Sequence, residues 1–201
     1  GISLFLLVIH KKTLKIFLYK KYFHFPNARE VQFCMNYSHH CFTKFYGFVK
    51  EKSDIIGFVY EFMSNGNLVT YIRNHKNDDF LKYTTLCRVC QCLNYLKSNN
   101  LIHRDIKPDN ILIDHDYIPY LSDFETIRTV YHDETFTYNF GSFYFSAPEQ
   151  LNGQFISFPV DIYSFGMLIC FLFEKTNINS KYKEMRYKDF DKFVQIIAKN
   201  I

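Results

Sequence analysis

His103-Arg104-Asp105-Ile106-Lys107-Pro108-Asp109-Asn110 brings a carboxylate, a lysine two residues on and an amide five residues on into one short segment. A carboxylate so placed can take a proton, a lysine neutralises developing negative charge, and an amide oxygen is a hard ligand for a divalent cation. Outward from this segment, Leu86, Val89, Cys90, Leu93 and Leu96 recur at i, i+3, i+4, i+7 spacing and predict a helix that ends just before it. Farther on, Val160 to Phe173 is apolar almost all round, which predicts a helix buried on every side.

Upstream the pattern changes to strand. Leu14 to Tyr19, Phe42 to Val49 and Ile55 to Glu61 are rich in Phe, Ile, Val and Tyr, and the polar Lys50-Glu51-Lys52-Ser53-Asp54 joins the last two as a hairpin. Between the first and second strands, Pro26-Asn27 precedes Ala28, Val31 and Met35 at helical spacing, with Asn27 as N-cap. Ile2 to Ile9 is an apolar run too short for a bilayer, which needs about 20 residues, and reads as a buried strand, with a cropped signal peptide as the alternative. The missing initiator methionine makes the N-terminus look cut. A sheet-rich part followed by a larger helical part is an α+β arrangement.

Composition narrows the class. The 201 residues, 48% hydrophobic and 19% aromatic, suffice for a sizeable core in one domain. Lys and Arg number 24 against 20 Asp and Glu, a mild excess spread along the chain, with no basic block of the kind nucleic acid requires. Of six cysteines, Cys87, Cys90 and Cys92 fall in the helical pattern and read as reduced core thiols; no Cys or His cluster at ligand spacing accompanies them. His39 and His40 read as a structural turn. No repeat, low-complexity tract or linker marks an internal boundary.

Four ordered blocks now stand together: His103-Arg104-Asp105 through Asn110, Ser122-Asp123-Phe124-Glu125, Ala147-Pro148-Glu149, and Asp161-Ile162-Tyr163-Ser164-Phe165-Gly166. In this order the chain resembles the protein kinase family over nearly its whole length. The resemblance implies a bilobal fold, with residues 1–60 a partial N-terminal lobe (a small antiparallel sheet with one helix), 61–66 a hinge and 67–201 a partial, mainly helical C-terminal lobe of one domain. It implies ATP and Mg2+ as cofactors, a protein with a Ser or Thr acceptor as partner, no membrane span and a cytoplasmic setting.

Roles follow from the same resemblance. Asp105 would orient the acceptor hydroxyl and take its proton, while Asn110 and Asp123 would hold the metal. Lys107 resembles the lysine of serine/threonine kinases that neutralises the phosphate in flight. Asp109 falls outside the base position and reads as a solvated or structural carboxylate. Arg104 would pair with a phosphorylated residue of the activation segment, where Thr126, Thr129, Thr135, Thr137 and Tyr138 are available, or serve as a buried structural cation. Glu149 closes that segment. Lys15, fifteen residues before Glu30, matches the phosphate-anchoring strand lysine and its helix glutamate, with Lys11 and Lys12 as competitors. Phe58 to Met63 resembles the hinge, where backbone groups of Glu61 and Met63 would meet adenine beside Tyr60; Leu112 is a further ATP-binding position. Asn65-Gly66-Asn67-Leu68 points to the tyrosine-kinase-like group of serine/threonine kinases.

Departures from the family pattern leave three readings. No Gly-x-Gly-x-x-Gly precedes Lys15, Thr13 stands where the family has a small alanine, and the last helices are not recognisable. Glu125 replaces the glycine of Asp-Phe-Gly. If that position needs positive φ, a side chain costs about 1–2 kcal/mol, and a carboxylate there either repels phosphate or competes for metal. A serine/threonine kinase, a pseudokinase that binds nucleotide or protein partners, and an incomplete domain are the expectations that result.

Overall fold

The computed structural model describes residues 3–76, 78–130, 144–152 and 156–173. Residues 1–168 form one compact unit; the second unit, 169–201, is described only as far as Phe173. Among the described residues the secondary structure runs β1 (Ser3–Ile9), β2 (Ile16–Tyr22), α1 (Ala28–Asn36), β3 (Phe45–Glu51), β4 (Asp54–Glu61), α2 (Leu68–Asn74), α3 (Asp79–Ser98), β5 (Leu101–Ile102), β6 (Ile111–Ile113), β7 (Pro119–Leu121), β8 (Arg128–Thr129), α4 (Pro148–Leu151) and α5 (Pro159–Phe173). The class is α+β. No described helix is long and apolar enough to cross a membrane.

The first four strands form an antiparallel sheet in the order β1-β2-β4-β3. The expected hairpin is present, with Glu51 opposite Asp54 and Lys52 turning at φ 55°. Gly57 on β4 lies against the Tyr19 ring and the Lys20 carbonyl, where any Cβ would collide, so its lack of a side chain lets β4 approach β2. The expectation of a buried first strand is corrected. Pairing on one side only, β1 is the sheet edge, and Leu4, Phe5, Leu6, Leu7 and Ile9 are exposed.

All three predicted helices form; α1 and α3 have inner faces different from those expected, and α5 is not buried on every side, since Ile162 and Phe173 are exposed. Asn27 caps α1 as expected, accepting from Arg29 N at 3.0 Å, but the buried side chains are Glu30 and Phe33 while Met35 is exposed. Periodicity alone could not find that face, because one of its two members is a carboxylate. On α3, capped by Asp78, the buried stripe is Leu81, Thr85, Val89, Cys92, Leu93 and Leu96; Cys87 and Cys90 are exposed rather than core thiols. The helix is rotated relative to the expected stripe because its packing partners are β7 and the turn at residues 39–42. There Arg88 donates to the carbonyls of His40 and Pro119, and Tyr95 packs on His39 and Phe42.

Core packing links the two parts of the unit. The Phe124 ring meets Phe33 at 4.7 Å, Phe42 at 5.2 Å and His103 at 6.1 Å, so one aromatic column joins α1, the turn before β3 and the segment after β5. Ile102, Ala147, Ile156 and Val160 form an adjoining buried cluster. Aromatic contacts of this kind contribute about 0.5–1.5 kcal/mol each beyond their buried area.

Candidate active site

The segment after β5 is held from below by a single buried carboxylate. Asp161, near the start of α5, accepts from the backbone N–H of His103 at 2.7 Å and of Arg104 at 2.8 Å. Burial raises its carboxyl above the usual range, opposed by His103 and Arg104. Arg104 takes φ 73°, a left-handed conformation that a non-glycine residue adopts at a cost of about 1–2 kcal/mol. The two Asp161 bonds and the Gln150 amide donating to the Arg104 carbonyl at 2.7 Å hold it there. His103 Nε2 donates to the Ser122 carbonyl at 3.2 Å and its Nδ1 accepts from Asp105 N at 3.3 Å, which ties this segment to the one carrying Asp123.

Asp105 is therefore presented on a fixed backbone. Its Oδ2 accepts from Lys107 Nζ at 2.7 Å and from Asn110 Nδ2 at 2.9 Å, and Asn110 Nδ2 also reaches the Asp105 carbonyl at 2.8 Å. With its nitrogen committed, the amide of Asn110 keeps its oxygen as the acceptor for a cation. Ser122 Oγ donates to the Asn110 carbonyl at 2.8 Å, so the residue before Asp123 is fixed to the residue that shares its cleft. The expected trio Asp105, Lys107 and Asn110 is one hydrogen-bonded group.

On the opposite side, Glu30 pairs with a different lysine from the one expected. Lys20 Nζ donates to Glu30 Oε1 at 2.9 Å, with both side chains buried. Lys15 lies on the surface, donating to Tyr46 and Glu61. The reason is register: Lys20 and Tyr22 face inward on alternate positions of β2, whereas Lys15 follows the His10-Lys11-Lys12-Thr13 turn. Tyr22 donates to Glu30 Oε2 at 2.5 Å, and Tyr60 reaches Glu30 Oε1 at 3.4 Å. Burial pushes both phenols up, so they remain neutral donors to the carboxylate. Burial opposes the charge on Lys20, yet Glu30, Glu125 and Asp123 outweigh it and hold its pKa above the ordinary lysine value. A lysine inside an apolar strand, in phase with an aromatic residue, was the signal available in the sequence.

Asn110 from one side and Lys20 and Glu30 from the other line one cleft of about 490 Å³, with Leu18, Glu61, Leu112, Asp123 and Glu125; Asp105 and Lys107 are not among its lining residues. Leu18, two residues before Lys20, lines it where Thr13 was expected; Thr13 instead binds His10 in the surface turn. Met63, expected to meet adenine, is buried without lining the cleft. Asp109, read as solvated, is exposed and also borders the cleft. Positive φ falls on Asp123, at 64°, and not on Glu125, so the backbone penalty expected for Glu125 does not arise. Its carboxylate instead sits 2.6 Å from Lys20 Nζ.

Thr126 donates to the His103 carbonyl at 2.7 Å and Thr129 belongs to β8, while Thr135, Thr137 and Tyr138 lie outside the described residues. Glu149 stands in the first turn of α4. The His39–His40–Cys41 turn brings its donor atoms within 4.8 Å, but they serve the fold. His39 Nδ1 accepts from Cys41 N, while His40 and Cys41 meet Gln91.

Comparison with known proteins agrees with this geometry. The family model described as protein kinase domain matches residues 8–200. Human cytoplasmic tyrosine-protein kinase BMX is 35% identical over 146 residues, 70% of this chain and 21% of that protein. Serine/threonine-protein kinase STY46 of Arabidopsis thaliana is 31% identical over 55% of this chain and 20% of its own length. The carbon catabolite-derepressing protein kinase of Secale cereale is 31% identical over 64% of this chain and 27% of its own length. The chain thus spans about a fifth to a quarter of these relatives. With the family model covering nearly every residue, and Asn110 of the Asp105 group lining one cleft with a buried lysine–glutamate pair, this chain belongs to the protein kinase domain family.

Proposed function

We propose that the chain transfers the γ-phosphoryl group of ATP to serine or threonine hydroxyls of proteins, with the lobes divided at residues 61–66. The observation that carries this reading is the Asp105–Lys107–Asn110 group, whose Asn110 lines one cleft with Lys20 and Glu30. In the step, the bond between the γ-phosphorus and its bridging oxygen breaks, a bond from the acceptor oxygen to that phosphorus forms, and ADP leaves. Asp105 accepts the proton released by the acceptor hydroxyl. Lys107, 2.7 Å from Asp105, neutralises charge on the group in transit, and Lys20 anchors the phosphates that stay behind.

Asn110 and Asp123 offer hard oxygens on the cleft wall and suit Mg2+, which would offset phosphate charge there. Glu61 and Leu112 line the same cleft and are assigned to the nucleotide's base. The Ser/Thr assignment rests on Lys107, since relatives of both acceptor types are similar to this chain. A second reading, nucleotide binding without transfer, is favoured by Glu125 on Lys20.

The purified chain with ATP, Mg2+ and a generic basic protein is expected to yield phosphoserine or phosphothreonine. Asp105→Asn is expected to lower kcat by about 10²-fold or more. Transfer unaffected by that change would remove Asp105 as the base; a thermal shift with MgATP but no product would favour the second reading.

A further inference from the structure

The glutamate after Phe124 is more than a missing glycine. Lys20 Nζ has three hydrogens, and two point at carboxylates: Glu30 Oε1 at 2.9 Å and Glu125 Oε1 at the shorter 2.6 Å. The lysine side chain is only 6% exposed, so its charge is spent on these partners rather than on solvent. Glu125 is seated there by its own backbone. Its carbonyl accepts from Asn27 Nδ2 at 3.3 Å and from Arg128 Nη1 at 3.4 Å, which moors it between the N-cap of α1 and the start of β8. Asp123 adds a third carboxylate to the surroundings of Lys20. A phosphate approaching this lysine meets one cation and three acidic side chains, a set with no net attraction for an anion.

We propose that Glu125 occupies the phosphate position on Lys20 and sets the nucleotide affinity of the cleft, so that a bound polyphosphate must displace it. The inference rests on the cleft being the nucleotide site. Glu30 is the permanent partner of Lys20, since Tyr22 and Tyr60 also bind it and it is 1% exposed. Glu125, at 26% side-chain exposure, is the partner with room to leave. Replacing its charge while keeping its shape would weaken its hold on Lys20, since an amide oxygen still accepts but carries no charge, and would leave Glu30 in place.

Calorimetric titration of the full chain and of Glu125→Gln and Glu125→Gly, each with ADP and with adenosine in the presence of Mg2+, tests this. Both variants are expected to bind ADP about tenfold or more tightly than the parent and adenosine equally well, because only the phosphates meet Lys20. Circular dichroism checks that each variant is folded, and using two variants guards against the loss of either. ADP binding by the parent with no gain in the variants overturns the competition and leaves the nucleotide site intact. A gain for adenosine equal to that for ADP overturns it as well, since the change would then act on cleft shape. Weaker ADP binding in the variants, relieved by raised Mn2+, overturns it in favour of Glu125 as a metal ligand. Absence of ADP binding in all three proteins overturns the inference together with the nucleotide site.

Discussion

The two walls of the candidate site are built on different length scales. Asp105, Lys107 and Asn110 bind one another across two and five residues, so the group is largely formed by one local segment. Lys20 and Glu30 lie on a strand and a helix, and the third partner, Glu125, comes from beyond β7. The difference lies in what can fail independently. The local wall needs only its backbone held, by Asp161 from 58 residues away, whereas the other wall exists only when strand register, helix rotation and the segment after β7 all agree.

Lys20→Met strikes the distributed wall hardest. It leaves Glu30 buried without its cation, and breaking a buried pair by removing one partner costs about 3–5 kcal/mol. Urea denaturation is expected to show a midpoint well below the parent; a midpoint unchanged would mean the three carboxylates do not depend on Lys20. Asp161→Asn probes the local wall. One of the two N–H groups of His103 and Arg104 then faces an amide NH2 rather than an acceptor, an expected loss of about 2 kcal/mol in the same measurement. An effect below about 0.5 kcal/mol would show that the His103–Arg104 backbone is held by the remaining contacts. Lys15→Met sets the lower bound: its ion pair with Glu61 is half exposed, and surface pairs contribute about 0–1 kcal/mol. Stability and nucleotide binding should both stay near the parent; a loss of nucleotide binding would return the anchoring role to Lys15.

These particular residues show where a linear reading reaches. The Asp105 segment, Asp123 and the β3–β4 hairpin were legible because each is local, with turn chemistry or ligand types a few residues apart. Lys20 was not, because β2 begins at Ile16 rather than Leu14, and a shift of strand limits moved the chosen lysine from the inward phase to the surface turn. The inner face of α1 was missed for a related reason: Glu30 is buried because Lys20, Tyr22 and Tyr60 satisfy it, and those partners lie on two other strands. Cys87 and Cys90 went the other way, apolar enough to pass for core yet turned outward by the packing of α3 on the turn at residues 39–42.

By itself the sequence determined the family, the Asp105 group and the α+β order of elements, since these rest on short-range spacing and on apolar periodicity. Only the tertiary structure decided which lysine meets Glu30, that β1 is an exposed edge, that positive φ falls on Asp123, and that Glu125 closes on Lys20. Charge pairing between distant segments depends on register and helix rotation, and these are set by whole-chain packing rather than by neighbouring residues.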